Sequence, residues 1–233
     1  MYENEEKRIT VVKDGPYLVQ GGVPLAKELA IRDKNNIPVE WKMTVRYADR
    51  EEYGLCRCGA SKGKPYCDGS HTKERFDGTE TASRKSFSEV AQRYQGKELD
   101  LLDDLILCEG AQFCHRAGGL RNLVRTAKDE KGRQMAIEIA GQCPAGRFVV
   151  CEKDTGEQIE PEFQKSITVL EDPGRDCSGP LWVKGGIPIR SAGGSEYEVR
   201  NRVTLCRCGA SENKPFCDGT HVSIRFDDGG LGR

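Results

Sequence analysis

The chain of 233 residues carries 36 basic and 37 acidic side chains, for a net charge of -1, and only 7% of its residues are aromatic. That balance offers neither the basic footprint of a nucleic-acid binder nor an acidic tail. A length of this order gives one large domain or two to three small ones, each with a modest core that a metal would staple. Eleven cysteines, an odd number, fit a reducing compartment better than a secreted disulfide scaffold, so a cytoplasmic location is expected.

In chain order, Met1 to Arg8 lacks the basic start and apolar core of a signal peptide. The apolar stretch Leu99 to Cys108 is broken by Asp100, Asp103 and Asp104, so no membrane span is expected. Ile9-Thr10-Val11-Val12 and the segment from Gly15 to Leu25 are rich in β-branched and aromatic residues and punctuated by Gly21-Gly22 and Pro24, which predicts short antiparallel strands. A hairpin is expected around Ile37 to Met43. There follows Cys56-Arg57-Cys58-Gly59-Ala60-Ser61, leading to Pro65-Tyr66-Cys67-Asp68-Gly69-Ser70-His71.

From about residue 80 to 165 helical periodicity takes over. Phe87, Val90, Ala91 and Tyr94 share one face, with Ser86 and Glu89 as a capping box and Gly96 as a stop. Helices are expected at Leu120 to Ala127, with Gly118-Gly119 as the turn before it, and at Arg133 to Ala140. A strand is expected at Phe148 to Cys151, then a turn at Asp154-Thr155-Gly156. The acidic pairs, Asp103-Asp104 among them, read as solvated faces.

The remainder repeats the beginning. Ile167-Thr168-Val169-Leu170 echoes Ile9 to Val12, and Gly179-Pro180-Leu181-Trp182-Val183-Lys184-Gly185-Gly186 echoes Gly15 to Gly22. Cys206-Arg207-Cys208 with Cys217-Asp218-Gly219-Thr220-His221 then repeats the first motif at a distance of 150 residues, and Arg225-Phe226-Asp227 repeats Arg75-Phe76-Asp77. The first copy is longer by 14 residues between its Gly-Gly pair and its first cysteine. Cys177 stands apart and reads as a structural thiol.

Cys-x-Cys-x8-Cys-x3-His supplies three thiols and one imidazole, a full tetrahedral donor set, and the chain makes it twice. Cys67 and His71, like Cys217 and His221, are four apart, so a helix capped by Asp68 or Ser70 would set the second donor one turn above the first. The free amides and positive end of such a helix favour the negative charge of thiolates. Arg57 and Arg207 add cationic charge between donors. Structural zinc would use the same donors, but Cys-x-Cys with eight residues before the third donor is unusual for a zinc finger.

These residues resemble the CDGSH iron-sulfur domain family, the mitoNEET-like proteins, whose signature is met twice over roughly residues 9 to 78 and 167 to 228. The resemblance implies a [2Fe–2S] cluster per motif, one iron held by Cys56 and Cys58 and the other by Cys67 and His71. In the second motif the corresponding pairs are Cys206 with Cys208 and Cys217 with His221. It also implies that the two units pair inside one chain as an intramolecular pseudo-dimer, the counterpart of two separate protomers. An imidazole in place of one thiolate is expected to raise the potential above all-cysteine plant-type centres and to couple electron uptake to protonation.

Cys108, Cys114-His115 and Cys143-Pro144 resemble the divergent single-cluster ferredoxin-like family, whose last ligand also precedes proline. The compact cysteine triplet of standard ferredoxins is missing, which leaves Cys151 or His115 as a fourth donor to a third cluster. The alternative is that these cysteines are small buried apolar residues.

The expectation is therefore an α+β chain with β-rich units at 1–79 and 166–233 around a helical ferredoxin-like insert at 80–165. It binds two [2Fe–2S] clusters and serves electron or cluster transfer, not catalysis. A redox protein or an apo-protein cluster acceptor is the expected partner, with no nucleic acid and no membrane, and the chain is expected to be a monomer. The competing class is a zinc-stapled protein-interaction module.

Overall fold

Residues 7–231 are described in a computed structural model. The first stretch forms β1 (Arg8–Val11), β2 (Tyr17–Gln20), β3 (Leu25–Arg32), β4 (Pro38–Arg46), β5 (Glu52–Leu55) and the single-turn helix α1 (Ser70–Lys73). The middle stretch forms α2 (Phe87–Val90), β6 (Gln92–Gln95), β7 (Leu99–Asp103), α3 (Leu120–Thr126), α4 (Glu130–Gly141), β8 (Phe148–Glu152) and β9 (Gln158–Ile159). The last forms β10 (Ser166–Asp172), β11 (Cys177–Lys184), β12 (Ile189–Arg190), β13 (Arg202–Leu205) and α5 (Thr220–Ser223).

The repeated sequence folds into repeated elements that trade strands. One sheet runs β12-β1-β2-β5 and the other β13-β11-β10-β3-β4. Antiparallel pairing stays within each repeat, whereas the two parallel pairings cross between repeats: Ile9 lies opposite Ile189, and Ile167 opposite Leu25. Each repeat thus lends its third strand to the other's sheet. Inward-facing residues of both sheets, including Ile9, Val11, Tyr17 and Leu55 from the first and Ile167, Val169, Leu181 and Leu205 from the second, make one continuous core. Burial at alternate positions, as in β1 and β2, is the period-two signature of strands with one face inward.

The 14 extra residues do lengthen a hairpin: β3 and β4 join through a turn at Asp33 to Ile37, closed by Asp33 Oδ1 accepting from the Asn35 and Ile37 amides. That hairpin reaches away from the first motif. Trp41 packs on Phe113 of the middle stretch, centroids 5.0 Å apart, and on Trp182 of β11, and its Nε1 donates to the Gln142 carbonyl.

The middle stretch has its own sheet, β6-β7-β8-β9. Leu99, Leu101, Phe148 and Val150 pack on Leu120 and Val124 of α3 and on Ala136 and Ile139 of α4. α4 begins at Asp129, whose carboxylate accepts from the Gly132 amide. Two expectations fail here. The capping box at Ser86 and Glu89 is present, but the helix ends at Val90, and Gln92–Gln95 pairs with β7 because Gly96 to Glu98 makes a hairpin turn. Asp103 is not on a solvated face but 3% exposed. Arg121 and Arg147 both clamp its carboxylate, and that pairing makes the buried charge tolerable.

Candidate metal centres

Each motif is held by the same local devices. Leu55 and Leu205, the last residues of β5 and β13, bridge to Tyr66 and Phe216, which fold the chain back between second and third cysteines. Ser61 Oγ donates to the Tyr66 carbonyl at 2.6 Å and Ser211 Oγ to the Phe216 carbonyl at 2.7 Å. Asp68 accepts from the Lys62 and Ser70 amides, and Asp218 from those of Glu212 and Thr220. These bonds hold both carboxyls below their ordinary pKa, against the upward push of burial that leads at Asp218. The residue before each helix is a glycine in the left-handed region, so the aspartate serves the first turn from one position further back than expected.

The donors come together in pairs. Cys56 and Cys58 Sγ stand 3.9 Å apart, and Cys67 Sγ is 3.4 Å from His71 Nδ1. In the second motif Cys206 and Cys208 are 3.6 Å apart and Cys217 Sγ is 3.3 Å from His221 Nδ1. Among the described residues, no group of three or more His, Cys, Asp or Glu side chains closes on one point as the shell of a single ion would. Proximity splits the titration of the second pair: its mutual hydrogen bond holds the Cys206 thiol down at about 6 and pushes Cys208 up. The motifs also touch each other. Cys58 and Cys208 form a backbone bridge, and a Cβ on Gly59 or Gly209 would lie 2.7 or 2.6 Å from the opposite cysteine's carbonyl oxygen, so only glycine allows that approach.

The surroundings differ. His71 is partly exposed, while His221 is 4% exposed and lines a crevice with Glu109, Gly110 and Arg175. Burial and the nearby guanidinium groups hold His221 down at about 4. Both interleaved arginines are buried, but they are satisfied differently. Arg57 donates to the Gly78 and Val12 carbonyls and lies by the Tyr17 and Phe76 rings, its Nε without a partner. Arg207 donates to the Gly179 and Leu170 carbonyls and lies by the Phe226 ring, and in addition is ion-paired with Glu171, at 2.8 Å, and with Asp228. Burial pushes the Asp228 carboxyl up, but Arg207 outweighs it and the net shift is downward; at Glu171 burial prevails and the shift is upward.

Cross-bracing is one-sided too. Tyr17 of β2 donates to the Cys206 and Pro215 carbonyls, whereas the matching residue of the second repeat, Leu181, has no hydroxyl to return the bond. The Thr81 and Ala82 amides donate to the Lys214 carbonyl, strapping the chain leaving the first repeat onto the second motif.

In the middle stretch, Cys108, Cys114 and Cys143 line one small cavity of about 20 Å³ with Arg147. Neither expected fourth donor joins them. Cys151 alternates to the opposite face of β8, among Phe87, Leu102 and Val149, and His115 is exposed. The three thiols are the sulfur donors that this cavity brings together, with Glu109 beside them. Cys177 is buried within β11, as a structural thiol should be.

Residues 14–72 and 178–222 match the family described as iron-binding zinc finger, CDGSH type, and residues 94–153 between them match the divergent 4Fe-4S mono-cluster family. The chain carries two CDGSH regions and is an iron-sulfur protein. No curated protein and no solved structure matches it. The two CDGSH regions contain all eight expected donors, the first match ending one residue past His71 and the second one residue past His221. Among the described residues no helix is long and apolar enough to cross a membrane.

Proposed function

We propose that each CDGSH region holds one [2Fe–2S] cluster and that the chain works in electron transfer or cluster transfer. The observation that carries this reading is the pairing of donors. A single tetrahedral zinc needs all four donors around one point, whereas two irons bridged by sulfides need two donors each. Cys56 with Cys58, Cys67 with His71, Cys206 with Cys208 and Cys217 with His221 are grouped as the second case requires. This favours iron over the zinc-stapled interaction module.

When bound, such a cluster supplies a one-electron couple, with a potential above the roughly -400 mV of all-cysteine plant-type centres. The residues of the chain set who can reach it. His71 faces a partner's approach, while His221 lies under Glu109 and Gly110, so a redox protein or an apo-protein acceptor would dock at the first region. The exchanged strands support reading the two repeats as an intramolecular pseudo-dimer that is complete as a monomer. The net charge of -1 gives no reason to expect a nucleic-acid or membrane partner in a cytoplasmic setting.

The test is an anaerobic absorption spectrum of freshly isolated protein with iron and acid-labile sulfide counts. Two irons and two sulfides per motif are expected. Zinc without sulfide would refute the reading, and iron beyond the two motifs would assign metal to Cys108, Cys114 and Cys143.

A further inference from the structure

Apart from the metal centres, the chain forms a pocket of about 300 Å³, open to solvent, where three stretches meet: residues 82–90 ahead of the middle sheet, 104–107 after β7, and the second CDGSH region from Tyr197 to Phe216. That size suits a small organic ligand. Its walls are apolar and aromatic, with Phe87, Tyr197 and Phe216 contributing rings. At its lining Val90 and Ile106 remain 42% and 60% exposed, apolar surface that a ligand would cover.

The polar part of the lining selects the charge of the occupant. Arg84 stacks on the Tyr197 ring at 3.7 Å and Arg200 on the Phe87 ring at 3.9 Å. Arg200 also donates to the Gly146 carbonyl, and burial lowers its pKa, the mark of a desolvated cation. Glu198 and Asp104 act on Arg200 electrostatically, and Lys85 adds a third positive charge to the lining. Both carboxylates share the lining and act at longer range; Asp104 accepts from the Ile106 amide at 3.2 Å and Glu198 from the Phe87 amide at 2.7 Å, bonds that orient them without removing their charge. Three cations against two carboxylates leave the lining with one net positive charge above apolar walls, the complement of a monoanionic acid with an apolar body.

We infer that this cavity binds a small aromatic or similarly bulky organic anion, its carboxylate or sulfonate held by Arg84 and Arg200 and its body against Phe87, Ile106 and Phe216. Phe216 directly precedes Cys217, so an occupant would rest on the loop that carries a metal donor. The inference does not depend on which metal the motifs hold.

Calorimetric titration of the as-isolated protein with 2-naphthoate, and in parallel with the neutral 2-naphthalenemethanol, tests it. One naphthoate per chain is expected, with the alcohol about tenfold weaker, the worth of one charged hydrogen bond. Arg84→Gln should weaken the acid about tenfold and leave the alcohol unchanged. Ile106→Glu, at an exposed site that tolerates change, should weaken the acid more than the alcohol. Far-UV circular dichroism and a melting temperature equal to the parent's would show both variants to be intact. Absence of saturable binding, equal affinity for acid and alcohol, or two variants that bind as the parent does would each overturn the inference.

Discussion

The two CDGSH regions repeat one donor set and one loop design, yet the buried arginine of each meets different partners. At the first, the buried Arg57 meets only carbonyl oxygens and rings; at the second, the buried Arg207 meets Glu171 and Asp228. The cause is two exchanges in the repeat: Lys13 stands where the second copy has Glu171, and Gly78 where it has Asp228. At Gly78 a Cβ would lie 2.5 Å from an Arg57 nitrogen, so the space a side chain would fill is taken by the guanidinium. A local positive charge favours a centre's reduced, more negative form, and compensating carboxylates remove that advantage. The first centre is therefore expected at the higher potential and, with His71 open to solvent, as the one that exchanges with partners.

The strongest way to break this comparison is to delete a donor. Cys67→Ser and Cys217→Ser should each remove one centre and leave the other, read as the loss of about half the cluster iron, with the larger fall in melting temperature for Cys217→Ser, whose loop is braced by Tyr17 and the middle stretch. Loss of both centres from either change would mean that they are not independent sites.

Next in size is a pair of matched glycines. A Cβ on Gly69 meets nothing within 4 Å, but one on Gly219 lies 2.9 Å from the Cys108 carbonyl oxygen, and both residues have positive φ. Gly69→Ala should cost about 1 kcal/mol for backbone strain alone, and Gly219→Ala about 2 kcal/mol or more, because it also pushes the middle stretch away. Chemical denaturation of the two variants reads the difference.

Asp228→Asn sharpens the electrostatic side. Removing that charge should raise the potential of the second centre by on the order of 50 mV and leave the first unchanged, as spectroelectrochemistry would report. It carries a pH signature as well. A carboxyl held below its unfolded pKa stabilises the protein above that value and loses the contribution as pH falls through the folded one. Between about pH 5 and pH 3 the melting temperature of the variant should fall less than that of the parent. A steeper fall would refute the pairing with Arg207.

The smallest effect expected is kinetic. An iron chelator at neutral pH should strip the first centre before the second, giving two phases of bleaching. His71→Cys should alter the fast phase only.

Much of this was legible from residue types alone. The duplicated motif, the strands around Ile9 and Ile167, the extra hairpin and the helices beginning at Leu120 and near Arg133 follow from spacing and periodicity. What escaped was whatever depended on partners distant in sequence. Tyr94 fits a helical face as well as a strand, and only pairing with β7 decides between them. Asp103 looks solvated until Arg121 and Arg147 are found beside it. Cys151 looks like a donor until its place on the far face of β8 is known. The contrast of Lys13 with Glu171 was visible in the aligned repeats, but its meaning required knowing that the arginine between each pair of cysteines is buried.

The reciprocal strand exchange has a consequence for biogenesis. A nascent chain presents Cys56 at the ribosome more than a hundred residues before Ile189, the strand that completes the first sheet, has been made. Closure of that sheet is thereby deferred until Ile189 has been made, and such long-range pairing is slow to form. Until then the first set of thiols stands in an unfinished scaffold, open to oxidation.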